Sequence, residues 1–235
     1  MKFLILLIIP FLSCKKPDTE EGKIIPNVGI PIAKKYNYLA LGDSYTIGQN
    51  VTQKDSYPYQ LSELLKTREI NTDSIEVIAQ TGWTTADLIN AIKVKNLKQK
   101  FDFVTLLIGV NNQYRGASSL KYREEFIQLI TTAIKFANND PKRVFVLSIP
   151  DWGYTPFAES YSVDMVKNSK EIDEFNAINK EESLKVGANY TDVTTISRMA
   201  IEDPSLIAND GLHPSAIMYK LWINKLEPEI LTQLK

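Results

Sequence analysis

One histidine and one cysteine occur in the whole 235-residue chain, and each scarcity excludes a class of chemistry. A single imidazole cannot build a multi-histidine metal site. A single thiol gives neither a zinc-binding cysteine cluster nor a disulfide within one chain. Charge of one sign is not in excess either: 27 basic against 28 acidic side chains leave a net −1. Nothing in that balance marks a nucleic-acid or anionic-lipid surface. No apolar run reaches the roughly 20 residues that a helix needs to cross a hydrocarbon core. What is plentiful is ordinary, with 44% hydrophobic and 23% charged residues, enough for one domain with a sizeable core.

The most apolar stretch opens the chain. Lys2 supplies a positive start, residues 3–12 are apolar apart from Pro10, and Ser13-Cys14 follow. This reads as the hydrophobic region of an export signal. The only cysteine stands where such a segment is cut, and the stretch resembles a bacterial lipoprotein lipobox, with Phe11 and Leu12 in place of the usual leucine and small residue. The expectation is a signal peptide over residues 1–13, lipid attachment at Cys14, and a place in the cell envelope through that membrane anchor. Ordinary secretion is the alternative. Pro17, Pro26 and Pro31 punctuate a charged segment without sustained period, so residues 14–35 read as a tether and residues 36–235 as the domain.

From Tyr36 onward, short apolar runs alternate with longer helical patterns. The runs lie at 38–41, 75–79, 103–108, 144–149 and, more weakly, 188–193; the helical patterns lie at 58–68, 85–94, 120–138, 169–185 and 215–234, the last interrupted by Pro228. The third and fourth runs are apolar on both faces, as strands of a helix-covered parallel sheet are. Such alternation predicts an α/β fold with right-handed crossovers and a ligand site beyond the carboxyl ends of the strands.

Four strand-end segments carry chemistry. The first run ends in Gly42-Asp43-Ser44-Tyr45-Thr46-Ile47-Gly48, a serine between glycines where a strand gives way to a helix. There a hydroxyl projects from the top of the sheet beside backbone N–H groups that can bind an anion. Taken alone, Gly-Asp-Ser is also ordinary turn chemistry. Near the other end, Asn209-Asp210-Gly211-Leu212-His213-Pro214 holds the sole histidine, with a carboxylate three residues before it and a glycine that permits a sharp bend. Asp210 can fold back onto Nδ1 of His213 and leave Nε2 as a base. That is the orienter, base and nucleophile chain of serine hydrolysis. Gly82 follows the second run and Asn111 the third. Separately these are a turn glycine and a loop cap. Jointly, the Ser44 N–H, the Gly82 N–H and the Asn111 amide can form an oxyanion hole.

In chain order the four segments resemble the four blocks of the GDSL, or SGNH, hydrolase family. The resemblance spans Gly42 to Pro214, nearly the whole domain. It implies Ser44 as nucleophile, Gly82 and Asn111 as oxyanion donors, and Asp210 and His213 as acid and base. It also implies a three-layer, flavodoxin-like fold with a five-stranded parallel sheet, and no metal or organic cofactor. Tyr45 replaces the leucine of Gly-Asp-Ser-Leu, and Asn112 replaces the aspartate of Gly-x-Asn-Asp, which bears on loop support around Asn111.

The expected activity is hydrolysis of carboxylic esters, acyl or acetyl, on a small-molecule, glycan or lipid substrate, with no nucleic-acid partner. Trp83 and Trp152 are the aromatics placed to bind substrate, although packing is the commoner role of such residues. Two other readings stay open: an acyltransferase using the same serine, and an inactive glycan-binding surface lipoprotein. Oligomeric state is left open by the sequence.

Overall fold

The computed structural model describes residues 34–235. The export segment, Cys14 and almost all of the tether lie outside the described residues. In chain order the elements are β1 (Lys35–Gly42), α1 (Ser44–Ile47), α2 (Tyr57–Lys66), β2 (Asn71–Ala79), α3 (Thr85–Lys95), β3 (Phe103–Leu107), α4 (Val110–Tyr114), α5 (Ser119–Phe136) and β4 (Val144–Leu147). They continue with α6 (Pro156–Ser160), α7 (Met165–Lys185), β5 (Asn189–Thr191), α8 (Thr194–Ser197) and α9 (Ala216–Leu234). The strands form one sheet in the order β2-β1-β3-β4-β5, and every pairing is parallel.

That order fixes where a ligand can sit. The chain steps outward from β1 to β2, then crosses back past β1 to β3 and continues the other way. Right-handed crossovers put the connecting helices of opposite steps on opposite faces. Accordingly α2 packs with α9, whereas α5 packs with both α3 and α7. The result is the expected three-layer α/β fold. The reversal opens a crevice between the carboxyl ends of β1 and β3, which is the ligand position in such sheets. Ser44 and Asn111 follow those two strands.

The centre of the sheet is dry. Every residue of β3 and β4 is buried, and Tyr38 of β1 stacks on Phe103 with centroids 4.4 Å apart. The Tyr38 hydroxyl shares a 2.7 Å hydrogen bond with Thr105 Oγ1, which satisfies both polar groups inside the core. Edge strand β2 differs: Ile78 is its only buried residue, so its polar first half gives no apolar run. Helix α9 runs unbroken through Pro228. Proline removes the bond to the carbonyl four residues back, but Pro228 and Asn224 are both exposed, so the freed carbonyl lies on the water-facing side. None of the described helices is long and apolar enough to cross a membrane.

Candidate active site

The turn that carries Ser44 is set by packing. At Gly42 an added Cβ would lie 2.1 Å from Thr46 Oγ1 and 2.4 Å from the Leu107 carbonyl oxygen, so only glycine lets the turn close onto the end of β3. Asp43 caps the turn by accepting from the Tyr45 N–H at 3.0 Å. Ser44 then heads α1, and the first N–H of a helix has no partner within it. Asp43 is fully buried, and its Oδ2 has no hydrogen-bond partner among the described residues. Burial pushes this carboxyl up to about 7, against the pull of the hydrogen bond from Tyr45.

The loop that carries Asp210 and His213 is set by hydrogen bonds. Gly211 adopts φ +73°, the left-handed bend that brings the chain back on itself. Asp210 Oδ2 lies 2.5 Å from His213 Nδ1. Its Oδ1 accepts from the backbone N–H groups of Leu212 and His213, each at 3.0 Å. Burial would raise the Asp210 carboxyl, but the bonds from the His213 ring and from those two N–H groups outweigh it and hold it below its ordinary range. With Nδ1 engaged, Nε2 is the ring nitrogen left to act on a ligand. Tyr45, at the position of the family leucine, meets the imidazole edge to face with centroids 5.7 Å apart and walls it from behind.

Ser44 and His213 line the same cavity of about 230 Å³ with Gly82, Asn111, Trp152 and Tyr45. No direct hydrogen bond joins Ser44 Oγ to the imidazole. Gly82 adopts φ +82°, in a turn closed by the Trp83 N–H to the Gln80 carbonyl at 3.2 Å. Asn111 spends one amide hydrogen on the Trp83 carbonyl at 2.9 Å, and its amide carries a second. Gly109 opens α4 at φ +130°, where a Cβ would meet the Tyr122 hydroxyl at 2.4 Å. Helix α4 therefore rests directly on the core.

Asn112, the departure from Gly-x-Asn-Asp, has its own logic. Its Oδ1 accepts from the Thr85 N–H at 3.0 Å, and its Nδ2 donates to Thr85 Oγ1 at 2.7 Å. The Thr85 hydroxyl then donates to Glu125. An aspartate at 112 would compete with Glu125 for the single hydroxyl hydrogen, whereas asparagine completes the chain.

The two tryptophans separate. Trp152 lines the cavity shared by Ser44 and His213. Trp83 contributes its carbonyl to Asn111, but its side chain lies in a groove along α3 with Val77 and Asp87, away from that cavity. Three residues of the site have no signal in the sequence motifs. Asn50, at φ +63°, donates to Asp210 Oδ2 from the loop after the Ser44 turn. Arg115 donates to the Gly82 carbonyl at 2.7 Å. Gln113 accepts from Trp152 Nε1 at 2.9 Å. A Gly48-Gln49-Asn50 turn fits the ease with which asparagine takes positive φ, but nothing local names its partner.

Solved structures share the architecture. The psychrotrophic esterase EstA from Pseudoalteromonas sp. matches with a TM-score of 0.64 at 16% identity, covering 84% of this chain and 98% of its own. A lipase/acylhydrolase from Enterococcus faecalis matches at 0.65 and 18%, with 86% and 97% covered. An acetyl xylan esterase matches at 0.65 and 17%, with 84% and 100% covered. At these identities the likeness is one of fold. Among curated proteins no sequence matches. The family model is more specific, because it runs from the strand before Ser44 to the helix after His213. Matched over residues 40–221, the chain belongs to the GDSL-like Lipase/Acylhydrolase family and is a carboxylic ester hydrolase.

Proposed function

We propose that the enzyme cleaves acyl or acetyl esters through an acyl-enzyme on Ser44, with His213 as base and Asp210 as its orienter. The observation that carries this reading is that the Asp210–His213 pair, closed at 2.5 Å, opens onto the same cavity as Ser44. The Ser44 Oγ–H proton passes to His213 Nε2 as Oγ bonds to the ester carbon and the carbonyl π pair moves onto oxygen. The Ser44 and Gly82 N–H groups and the free Asn111 amide hydrogen receive that oxyanion. The C–O bond to the leaving alcohol then breaks, and the alcohol departs with the proton from His213. A water deprotonated by the same imidazole attacks the acyl carbon, releases the acid and restores Ser44. Asp210, kept ionised by the bonds from the His213 ring and from the Leu212 and His213 N–H groups, stabilises the imidazolium in both halves.

Arg115 and Asn50 act through these groups: Arg115 fixes the Gly82 peptide by its carbonyl, and Asn50 fixes the Asp210 carboxylate. A glycan or other small-molecule ester suits a cavity walled by Trp152 and an exposed Tyr114. The named acetyl xylan esterase among the structural matches is consistent with this class. Ser44→Ala is the direct test on a p-nitrophenyl ester. Turnover should fall to background while the far-ultraviolet circular dichroism stays unchanged, and retained turnover excludes Ser44 as nucleophile.

The N-terminal pattern supports a second proposal, that the mature enzyme is lipid-anchored in the cell envelope through Cys14. Cys14→Ser should then release the protein from the membrane fraction, and a wild-type N-terminal peptide without acyl mass would refute the anchor.

A further inference from the structure

From the wall of the catalytic cavity we infer that Trp152 is a specificity-determining residue that restricts the enzyme to short acyl chains. This inference rests on the proposed Ser44 chemistry. The cavity measures about 230 Å³, below the roughly 300–1,000 Å³ of sites that enclose drug-sized ligands. It accommodates an ester group with a short acyl chain, and a fatty acyl chain exceeds it.

Behind this cavity lies a second void of about 10 Å³, room for about one water. Three side chains, Tyr45, Trp152 and Leu212, line both spaces and therefore form the partition. Beyond the partition, Pro150, Ile207 and Met218 supply apolar surface. The polar groups on that side are already engaged. Asp151 accepts from Gly153, Asn168, Ser169 and Arg198. Thr155 Oγ1 donates to the Trp152 carbonyl, and Ser197 Oγ donates to the Thr194 carbonyl. The void is thus a small space behind the acyl site whose polar groups are already bonded, closed off in this structure by Tyr45, Trp152 and Leu212.

The Trp152 indole is not free to swing. It is 8% exposed, and its Nε1 donates to Gln113 Oε1 at 2.9 Å. Gln113 is itself buried, and its Nε2 donates to Glu171 at 2.8 Å and to Asn168 at 3.2 Å. Tyr114 covers the outer edge of the indole, with centroids 5.4 Å apart. The backbone on either side is pinned as well, with the Asp151 N–H on Ser197 Oγ and the Thr155 N–H on the Trp152 carbonyl. A rigid partition excludes extra methylenes sterically. Tyr45 and Leu212 complete the wall, but they adjoin Ser44 and His213 in sequence, which leaves Trp152 as the member that can vary without disturbing the catalytic turns.

The test is kcat/KM for p-nitrophenyl acetate, butyrate and octanoate with wild type, Trp152→Val, Gln113→Leu and Ser44→Ala. In the wild type the value should fall on the order of tenfold or more from butyrate to octanoate, the scale on which a pocket discriminates added methylenes. Trp152→Val should raise the octanoate-to-acetate ratio about tenfold, and Gln113→Leu, which releases the indole N–H, should raise it less. This ratio cancels a uniform loss of folded enzyme. A wild-type rate as high on octanoate as on butyrate overturns the inference even if Trp152→Val fails to fold. An unchanged ratio in a folded Trp152→Val overturns it too. In both cases loss of activity in Ser44→Ala leaves the catalytic reading standing. Activity that survives in Ser44→Ala overturns that reading and this inference with it.

Discussion

The two segments that meet at the cavity are held in opposite ways. The Ser44 turn is locked by volume: Asp43, Ser44, Tyr45 and Thr46 are all buried, and Gly42 is wedged against the end of β3. The Asp210–His213 loop is locked by polarity. Asp210 is exposed at the surface and is held through hydrogen bonds from His213, Leu212 and Asn50. A close-packed turn has few positions to occupy, so Ser44 is placed by the core itself. A carboxylate held at the surface is placed by partners that can be removed one at a time. The first arrangement should tolerate little change of volume, and the second should lose function in steps.

The largest expected effect falls on the base. His213→Ala should lower kcat on the order of 10⁴- to 10⁶-fold, as loss of a triad member does elsewhere, and a loss below tenfold would show that another base serves. Next comes Asn111→Ala. Removing one oxyanion donor should cost about 10²- to 10³-fold in kcat. A change confined to KM would instead assign the amide to substrate binding.

Asn50→Ala sharpens the comparison from the polar side. It removes one donor from an exposed carboxylate whose other bonds remain, so kcat should fall only about three- to tenfold while the melting temperature stays put. Loss of stability with unchanged kcat in the folded fraction would make Asn50 a loop-packing residue alone.

The remaining effect concerns stability, not rate, on the packed side. Asp43 has its carboxyl raised from 3.8 to about 7 by burial. A group whose folded value is raised binds its proton more tightly when folded, so its contribution is fully present below about pH 3.8 and lost as pH rises through 7. The wild-type melting temperature should therefore decline across that window relative to Asp43→Asn. Parallel pH profiles for the two proteins would show that Asp43 does not stay protonated when folded. Asp210, held low, works in the reverse sense, and its contribution is lost as pH falls.

How legible each part was follows from the same physics. The runs at 103–108 and 144–149 announced buried parallel strands because both their faces are covered. The edge strand β2 appeared only in its second half, since its first half faces water. The motif segments marked Ser44, Gly82, Asn111, Asp210 and His213 because each sits at a strand end or helix entry, where local sequence dictates the turn. Long-range partners left no local trace. Asn50 reaches Asp210 across 160 residues, and whether Trp83 or Trp152 meets the cavity depends on how two loops leave the sheet. The proline in the 215–234 pattern does not break α9, because Pro228 and Asn224 fall on its solvent side, where the freed carbonyl is open to water.

Covalent labelling reads the meeting of the two segments most directly. A fluorophosphonate probe should react with the wild-type protein, and peptide mass spectrometry should place the adduct on Ser44. Labelling should be abolished in Ser44→Ala and strongly slowed in His213→Ala, where the serine has lost its base. An adduct on another residue, or ester hydrolysis that persists in fully labelled protein, would contradict a nucleophile at the end of β1 served by the sole imidazole.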